Sequence, residues 1–404
     1  MTPTEQKHAR FQDFAARRHC VWLDTAAGQG LSLLAADPYR VIRAKGRQVE
    51  IITSTGTRHL DANPFDALNA ELAQSHGTAI GYFGYDLKNF VEELPAKAVD
   101  DLGLPDLWFG FYDALVMVES ETDISPSASM PATGYPSNFT RESYLQAVRR
   151  AKEYIAAGDI YQVNLSQRFQ CPVDAPAPAV YLALRAANPA PYCAYLDIGD
   201  AQILSSSPEC FLKLEGRQVI TRPIKGTRPR AVDPAELLAS PKDNAELLMI
   251  TDLERNDLGR VCEFGSVHVP ELVRVESFAT VHHLVATVAG MLRREVSHVD
   301  CVRACFPGGS ITGAPKIRAM EIIDELEPHA RGIYTGAIGY FGADGRSHFN
   351  IAIRTAVYQP GGRLTFQAGG GIVADSDPDA EYDETLAKAQ GIFNALNQLR
   401  LRQR

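Results

Sequence analysis

The sequence has no long apolar segment, no apolar leader and no paired-cysteine motif. None of its uninterrupted apolar runs approaches the roughly 20 residues of a membrane-spanning helix. Its first residues, MTPTEQKHARFQDF, lack the apolar core of a signal peptide. The 7 cysteines are scattered, odd in number and without a CxxC pair, which disfavours a disulfide scaffold or a zinc site. We therefore expect a cytoplasmic protein that does not enter a membrane.

An excess of positive charge is also missing. The formal net charge of −9 argues against nonspecific nucleic-acid binding, although local basic clusters can still hold an anionic ligand. Hydrophobic residues make up 45% and charged residues 22% of the 404 residues, as in ordinary globular proteins. Residues 119–138 are rich in Ser, Pro and Thr, which predicts a linker or surface loop. This segment separates an N-terminal part, residues 1–118, from a larger part, residues 139–404.

Short strand-like runs with hairpin signals dominate the chain, and βαβ alternation is scarce, which predicts an α+β fold. The run AIGYFGYD at 79–86 nearly repeats AIGYFGAD at 337–344 and suggests two similar sheet edges. The run HFNIAIRTAV at 348–357 reads as one strand, with Phe349 and Val357 on one face and Arg354 on the other.

A basic stretch at 221–230, TRPIKGTRPR, surrounds Lys225 with Arg222, Arg228 and Arg230. Because a hairpin pattern precedes it, we expect Lys225 at the end of a strand. Nearby cations and burial lower the pKa of an amine, and a neutral amine is a nucleophile. The alternative is that the four cations hold an anion or face water, and this stretch alone favours that alternative.

Two predicted helices each carry a pair of acids at i, i+3 spacing. The first helix, residues 242–258, carries Asp243 and Glu246, and the second, beginning at Asp377-Pro378, carries Glu381 and Glu384. Four carboxylates on two helices could hold one Mg²⁺, which prefers oxygen ligands. Ordinary helix electrostatics explains Asp243 and the individual charges of the second helix. It explains Glu246 poorly and does not explain why the same acidic spacing occurs twice.

Six motifs in a fixed order resemble the chorismate-utilising enzymes. They are SPE (207–209), PIKGTRPR (223–230), DLERNDLGRV (252–261), FPGGSITGAPK (306–316), IAIRTA (351–356) and GGGIVADS (369–376). That family includes anthranilate synthase component I, isochorismate and salicylate synthases, and component I of aminodeoxychorismate synthase. The resemblance covers about residues 140 to 395. It implies two large antiparallel β-sheets packed face to face with flanking helices, the fold of anthranilate synthase component I.

Two positions choose among the branches of this family. Gln162 stands where the water-adding members have a lysine, which disfavours isochorismate or salicylate formation. Lys225 stands where anthranilate synthases typically have alanine. The resemblance therefore implies the aminodeoxychorismate synthase branch, which aminates chorismate at C4 for 4-aminobenzoate and folate biosynthesis. Anthranilate formation is the alternative, and a catalytically silent regulatory subunit is a more distant one.

The resemblance also assigns roles to individual residues. Lys225 would form a covalent adduct with chorismate, and Glu209 would be the general acid. Mg²⁺ would be held by Glu246 and Glu384, with two more acids in the outer shell, Asp243 and Glu381. The implied substrate contacts are Gln162, Gly226, Thr227, His283, Thr312, Tyr334, Arg354, Gly369, Gly370, Gly371 and Lys388.

For one of these contacts, His283, a purely structural role is the alternative. No segment with the Cys and His of a glutaminase is evident, so we expect a glutamine amidotransferase subunit to supply ammonia.

Overall fold

The computed structural model of the protein describes residues 3–26, 31–119, 135–277 and 281–402. Most of the predicted linker at 119–138 lies outside the described residues. The helices are α1 Pro3–Ala15, α2 Pro64–Ala73, α3 Arg141–Ala156, α4 Ala177–Ala187, α5 Ala235–Ala239, α6 Pro241–Gly259, α7 His298–Cys305, α8 Lys316–Leu326 and α9 Pro378–Arg402, with 3₁₀ turns at Tyr85–Phe90 and Gly309–Ile311.

The strands are, in chain order, β1 Val21–Asp24, β2 Leu31–Ala35, β3 Arg40–Lys45, β4 Gln48–Thr53, β5 Gly56–Asp61, β6 Thr78–Phe83, β7 Leu107–Tyr112, β8 Val116–Glu119, β9 Gln162–Pro172, β10 Tyr192–Asp197, β11 Gln202–Ser207, β12 Cys210–Glu215, β13 Gln218–Arg222, β14 Ile224–Pro229, β15 His268–Ser277, β16 Val281–Met291, β17 Gly313–Ala314, β18 Ala337–Phe341, β19 Arg346–Ile351, β20 Thr355–Gln359 and β21 Arg363–Ile372.

These strands form two sheets whose strand pairs are antiparallel. The nine-stranded sheet has the order β17-β9-β21-β20-β11-β10-β1-β2-β8. The twelve-stranded sheet has the order β14-β16-β13-β12-β19-β18-β6-β7-β3-β4-β5, with β15 paired to β16. Strands that precede residue 119 join both sheets, so the N-terminal part completes the same two layers as the rest of the chain.

Three hydrophobic clusters show how the layers stack. One cluster lies between the sheets and joins Leu196 and Ile203 of the nine-stranded sheet to Tyr82 and Trp108 of the twelve-stranded sheet. Helices α1, α4, α8 and α9 pack on strands of the smaller sheet, and α6 packs on β14 and β16 of the larger sheet. Two further clusters of buried apolar residues include the packing faces of these helices. The predicted α+β fold, two antiparallel sheets face to face with helices outside, is confirmed.

Local signals determine where the acid-bearing helices begin. Helix α6 starts at Pro241, and the Ser240 side chain accepts a hydrogen bond from the backbone N–H of Asp243 at 3.3 Å. Helix α9 starts at Pro378, where the Asp377 side chain accepts from the N–H of Ala380 at 3.0 Å. Both pairs of acids therefore lie within the first two turns of their helices.

The two AIGYFG runs are neighbours in the middle of the larger sheet, so the prediction of two sheet edges was wrong. Strands β6 and β18 pair antiparallel with Gly81 opposite Gly339. A Cβ on either glycine would come within 1.9 Å of a backbone oxygen on the next strand, Trp108 or His348. The near-repeat therefore reflects two equivalent positions in which only glycine fits.

The predicted single strand at 348–357 was also wrong. Strand β19 ends at Ile351 in the larger sheet, and β20 begins at Thr355 in the smaller sheet. Arg354 lies at this crossover with a φ of +50°, a left-handed conformation that is uncommon for arginine. Hydrophobic alternation cannot reveal that the chain passes from one sheet to the other at this point, because residues on both sides of the crossover keep a buried, strand-like pattern.

Candidate active site

Two chain crossovers between the sheets meet at one end of the sandwich. Strand β11 of the smaller sheet leads through Ser207 to Glu209 and into β12 of the larger sheet, beside the crossover at Arg354. The Ser207 hydroxyl donates to the Ile351 carbonyl at 2.6 Å, and the Ile351 N–H donates to the Glu209 carbonyl at 3.1 Å. These bonds fix Glu209 and Arg354 side by side, and Glu209 is only 5% exposed.

Lys225 lies inside β14, one residue after its start, and not at a strand end as expected. The pairing of β14 with β16 shifts register between Lys225 and Thr227, so the intervening Gly226 forms a bulge. Gly226 has a φ of +65°, and a Cβ there would come within 3.0 Å of the Asp243 carboxylate carbon. The bulge therefore needs glycine for its backbone and for its close approach to α6.

Lys225 and Glu209 meet at Ser310 in the glycine-rich loop. The Lys225 Nζ donates to the Ser310 carbonyl at 3.2 Å, and the Ser310 side chain lies near enough to Glu209 to lower the pKa of that carboxyl group. Burial raises the pKa of Glu209 despite the Ser310 side chain and the charge of Lys225. Burial also lowers the pKa of Lys225, although Glu246, Glu209 and Glu384 oppose that shift. Burial therefore shifts both groups toward their neutral forms.

The three arginines near Lys225 are not among the main causes of its lowered pKa, contrary to what the sequence suggested. Arg222 pairs with Glu276, Arg228 donates to Asp243 at 2.9 Å, and the main cation acting on Lys225 is Lys388. Sequence proximity misled here because alternate residues of a strand point to opposite faces.

The helices α6 and α9 bring the four predicted metal-site acids toward one another. Glu246 and Glu384 act on each other and on Lys225 electrostatically. Burial raises the pKa of Glu246 and of Glu381. Burial opposes ionisation of Glu384 too, but Lys388, whose Nζ lies 2.7 Å from the Glu384 Oε1, acts together with Lys242 and Lys225 to lower the Glu384 pKa. Asp243 is already paired with Arg228.

The donor chemistry of this set fits Mg²⁺, but the acids do not form a closed cage. In the part of the chain that the structure describes, no three His, Cys, Asp or Glu side chains lie close enough to hold a metal. The Oε2 atom of Glu381 is buried without a hydrogen-bond partner, and Gly370 leaves room for it, since a Cβ there would lie 3.1 Å away. Mg²⁺ commonly uses one or two carboxylates and completes its shell with water and substrate oxygens.

The glycines of β21 line the same region. Gly370 faces Glu381 and Glu384, whereas a Cβ on Gly371 would come within 2.7 Å of the Gln162 amide nitrogen. Gln162 is fully buried, and both polar atoms of its amide lack a hydrogen-bond partner. Such an unsatisfied amide is costly, which is typical of a side chain that meets a ligand or water.

The remaining candidates divide into two groups. Lys388 Nζ donates to the Gly369 carbonyl at 3.0 Å, and Thr227 Oγ1 lies 3.0 Å from His283 Nδ1, so these residues are tied to the site. Burial lowers the pKa of His283 to about 4, which keeps its ring neutral.

The other two candidates have internal partners. Thr312 Oγ1 donates to the Gly308 carbonyl at 3.0 Å. The Tyr334 ring lies 5.7 Å from the Arg331 guanidinium. Their observed contacts stabilise the loop and the region around Arg331.

Sequence reasoning missed the charged residues that hold the glycine-rich loop. Glu254 Oε1 accepts from the Gly309 N–H at 3.2 Å, and Lys316 Nζ donates to Asp257 and to the Pro307 carbonyl. Arg331 Nη1 donates to the Ile311 carbonyl at 2.9 Å. The signal for Glu254 and Asp257 was their place in the motif DLERNDLGRV; Arg331 gave no such signal.

A cavity of about 810 Å³ lies elsewhere, against both sheets, with Tyr192, Arg222 and His348 in its wall. None of the candidate site residues lines it. The described helices include none that is long and apolar enough to cross a membrane.

Comparison with known proteins tests the expected family. Residues 18–394 match the model of the chorismate binding enzyme family. The chain is 41% identical to aminodeoxychorismate synthase component 1 of Salmonella typhimurium, over 90% of this chain and 89% of that protein. It is 42% identical to anthranilate synthase component 1 of Thermus thermophilus, over 84% of this chain and 79% of that protein.

The structural comparison agrees. The fold matches anthranilate synthase component I from Streptococcus pneumoniae with a TM-score of 0.80 and 32% identity, over 91% of this chain and 92% of that chain. The prediction of a chorismate-utilising enzyme similar to component 1 of aminodeoxychorismate synthase is thus confirmed. The chain belongs to the chorismate binding enzyme family.

Proposed function

We propose that this chain converts chorismate and ammonia into 4-amino-4-deoxychorismate, as component 1 of an aminodeoxychorismate synthase. Overall identity does not choose between the two branches, since relatives of both kinds reach about the same value, 41% and 42%. The observation that carries the proposal is Lys225, a partly buried lysine whose pKa is lowered by burial. Its Nζ donates to the carbonyl of Ser310, and the side chain of the same serine lies near Glu209. An alanine at this position would leave no nucleophile.

The reaction consists of two allylic displacements. In the first, the neutral Lys225 amine forms a bond to C2 while the C4 hydroxyl takes a proton from Glu209 and leaves as water. In the second, ammonia forms a bond to C4, the bond between Lys225 and C2 breaks, and its electron pair returns to the amine. The Glu209 carboxylate then takes the surplus proton from the new amino group. Glu209 must therefore begin protonated, which its raised pKa favours.

Glu246 and Glu384 would hold Mg²⁺, with Asp243 and Glu381 acting through water. When bound, the ion supplies Lewis-acid polarisation of the substrate's ring carboxylate. Lys388 contacts Glu384 and the Gly369 carbonyl, and so orients the acid and the glycine strand together.

The substrate contacts of the proposal follow from the same geometry. Arg354 suits a carboxylate because its guanidinium can donate two parallel hydrogen bonds. Gln162 offers an unpaired amide, and the glycine strand offers backbone N–H groups. Neutral His283 and Thr227 border the bulge beside Lys225. The wider contact set of the proposal is Gly226, Thr312, Tyr334, Gly369, Gly370, Gly371 and Lys388.

The catalytic part in this proposal is residues 139–404, which contains every residue named in the reaction. Ammonia would come from a glutamine amidotransferase subunit, since component 1 relatives imply a second component. All 7 cysteines are unpaired, which supports the expectation of a reducing compartment such as the cytoplasm.

The test is product analysis after incubation with chorismate, Mg²⁺ and ammonium. We expect 4-amino-4-deoxychorismate; fluorescent anthranilate as the sole product refutes the proposal. Lys225→Ala should lower formation of 4-amino-4-deoxychorismate about a hundredfold or more, and mass spectrometry should find the adduct on Lys225 in the parent enzyme. Lys213→Ala is the control because this exposed lysine lies on β12 away from the site. Unchanged product formation in Lys225→Ala rules out the covalent route.

A further inference from the structure

We propose that Ser310 is a positioning residue. Its hydroxyl donates a hydrogen bond to Glu209 while its carbonyl accepts one from Lys225, so that one residue fixes the positions of the general acid and the nucleophile relative to each other. This inference rests on the proposed function and names a residue to which the resemblance gave no role. The Lys225 Nζ to Ser310 carbonyl distance is 3.2 Å, and Ser310 is 6% exposed.

The backbone around Ser310 is held on both sides by buried charged groups. On one side the Gly309 N–H donates to Glu254 Oε1 at 3.2 Å, and on the other the Ile311 carbonyl accepts from Arg331 Nη1 at 2.9 Å. Glu254 is 3% exposed and Arg331 is 2% exposed. A serine held in this way can orient the side chains of Glu209 and Lys225 without being displaced by them.

The two contacts use different atoms of Ser310 and can therefore be separated by substitution. The hydroxyl stabilises the carboxylate that forms when Glu209 gives up its proton, so it favours the transition state over the ground state. The carbonyl takes one N–H of Lys225, which fixes the direction of its lone pair. Ser310→Ala removes only the first contact.

The charged groups that face Glu209 influence its pKa and therefore the pH dependence of turnover. They are Lys225 on β14, Lys388 on α9, Arg354 at the sheet crossover and Glu254 on α6. Ser310→Ala leaves all four in place. Loss of a donor to the carboxylate raises the pKa of Glu209 further, so the limb of the profile that belongs to Glu209 moves to higher pH. The limb that belongs to Lys225 stays where it is.

The experiment measures kcat and KM for chorismate against pH, with Mg²⁺ and ammonium, in the parent, Ser310→Ala and Ser310→Thr. For Ser310→Ala we expect kcat to fall about tenfold to a hundredfold, with KM within about threefold of the parent. One limb should move to higher pH, and Ser310→Thr, which keeps the hydroxyl, should restore that limb. Ser347→Ala is the control, since Ser347 is a buried serine that bonds His298 at 2.7 Å.

Two outcomes overturn the inference. They are two unmoved limbs in Ser310→Ala, or an equal shift in Ser310→Thr. If Ser310→Ala does not fold, as judged by circular dichroism, Ser310→Cys keeps the volume with only a weak donor and must show the same displaced limb. A parent enzyme that makes no 4-amino-4-deoxychorismate refutes the proposed function. An active parent with unmoved limbs in Ser310→Ala refutes this inference alone.

Discussion

Removing the Arg331 side chain should be among the most damaging single changes to this fold. Arg331 is buried, and its guanidinium donates to both Glu327 oxygens at 2.9 and 2.7 Å. It also donates to the Ile311 and Asn164 carbonyls, each at 2.9 Å, and to Thr335 at 3.3 Å. Arg331→Met leaves Glu327 as a buried charge without its partner. Breaking such a pair costs about 3–5 kcal/mol of unfolding free energy.

A double-mutant cycle tests whether the stranded charge causes this loss. Glu327→Gln keeps an acceptor for the Ser166 backbone N–H, which donates to Glu327 at 2.8 Å, but it removes the charge. Arg331→Met/Glu327→Gln should therefore cost less than the sum of the two single changes, by about 1–3 kcal/mol. The measurement is equilibrium urea unfolding followed by circular dichroism, with refolding checked by dilution.

The control is Arg255→Met, which breaks an exposed i, i+3 pair with Asp252 on α6. We expect it to cost less than about 1 kcal/mol. Two results contradict this reasoning: a loss of unfolding free energy of less than about 1 kcal/mol in Arg331→Met, or strict additivity in the double-mutant cycle. Either result means that Arg331→Met leaves no uncompensated charge in the protein interior.

Two glycine substitutions test the geometry around the reacting groups. Gly226→Ala should lose both stability and chorismate turnover because its Cβ would press on α6, whereas Gly216→Ala has a similar φ of +56° in open space and should lose only stability. Equal turnover in the two variants, compared at equal folded fraction, contradicts a role for the bulge. Gly370→Ala crowds Glu381 and should raise the Mg²⁺ concentration for half-maximal turnover about tenfold, whereas Gly259→Ala, with nothing within 4 Å, should not. An unchanged Mg²⁺ requirement in Gly370→Ala argues against this acid near the ion.

Features that depend on neighbouring residues could be predicted from the sequence. The start of α9 at Pro378 and the helical spacing of the acid pairs depend on residues within one or two turns. The hairpin of β12 and β13 turns at Gly216, and Leu214 pairs with Val219 as alternation predicts. These local signals located Glu246 and Glu384 on helices before their tertiary partners were known.

Features that depend on distant partners could not be predicted in the same way. The run at 348–357 alternates like one strand, yet its two halves pair with β12 and β11 in different sheets. The AIGYFG repeat suggested similarity but not that its copies pair with each other. Strand pairing is decided by residues far apart in the chain, and hydrophobic alternation is the same whichever partner a strand has.

The ionisation of Lys225 also depends on distant residues and could not be predicted from its neighbours in the sequence. Its pKa reflects burial and Lys388 on one side, and Glu246, Glu209 and Glu384 on the other. These groups come from α6, α9 and the turn before β12, elements separated by up to 175 positions between Glu209 and Glu384 (384 − 209). The arginines beside Lys225 in the chain pair with Glu276 and Asp243 instead. The lowered pKa of Lys225 is therefore a property of the assembled sandwich, and changes to α9 at Lys388 should alter that pKa without changing the strand that carries Lys225.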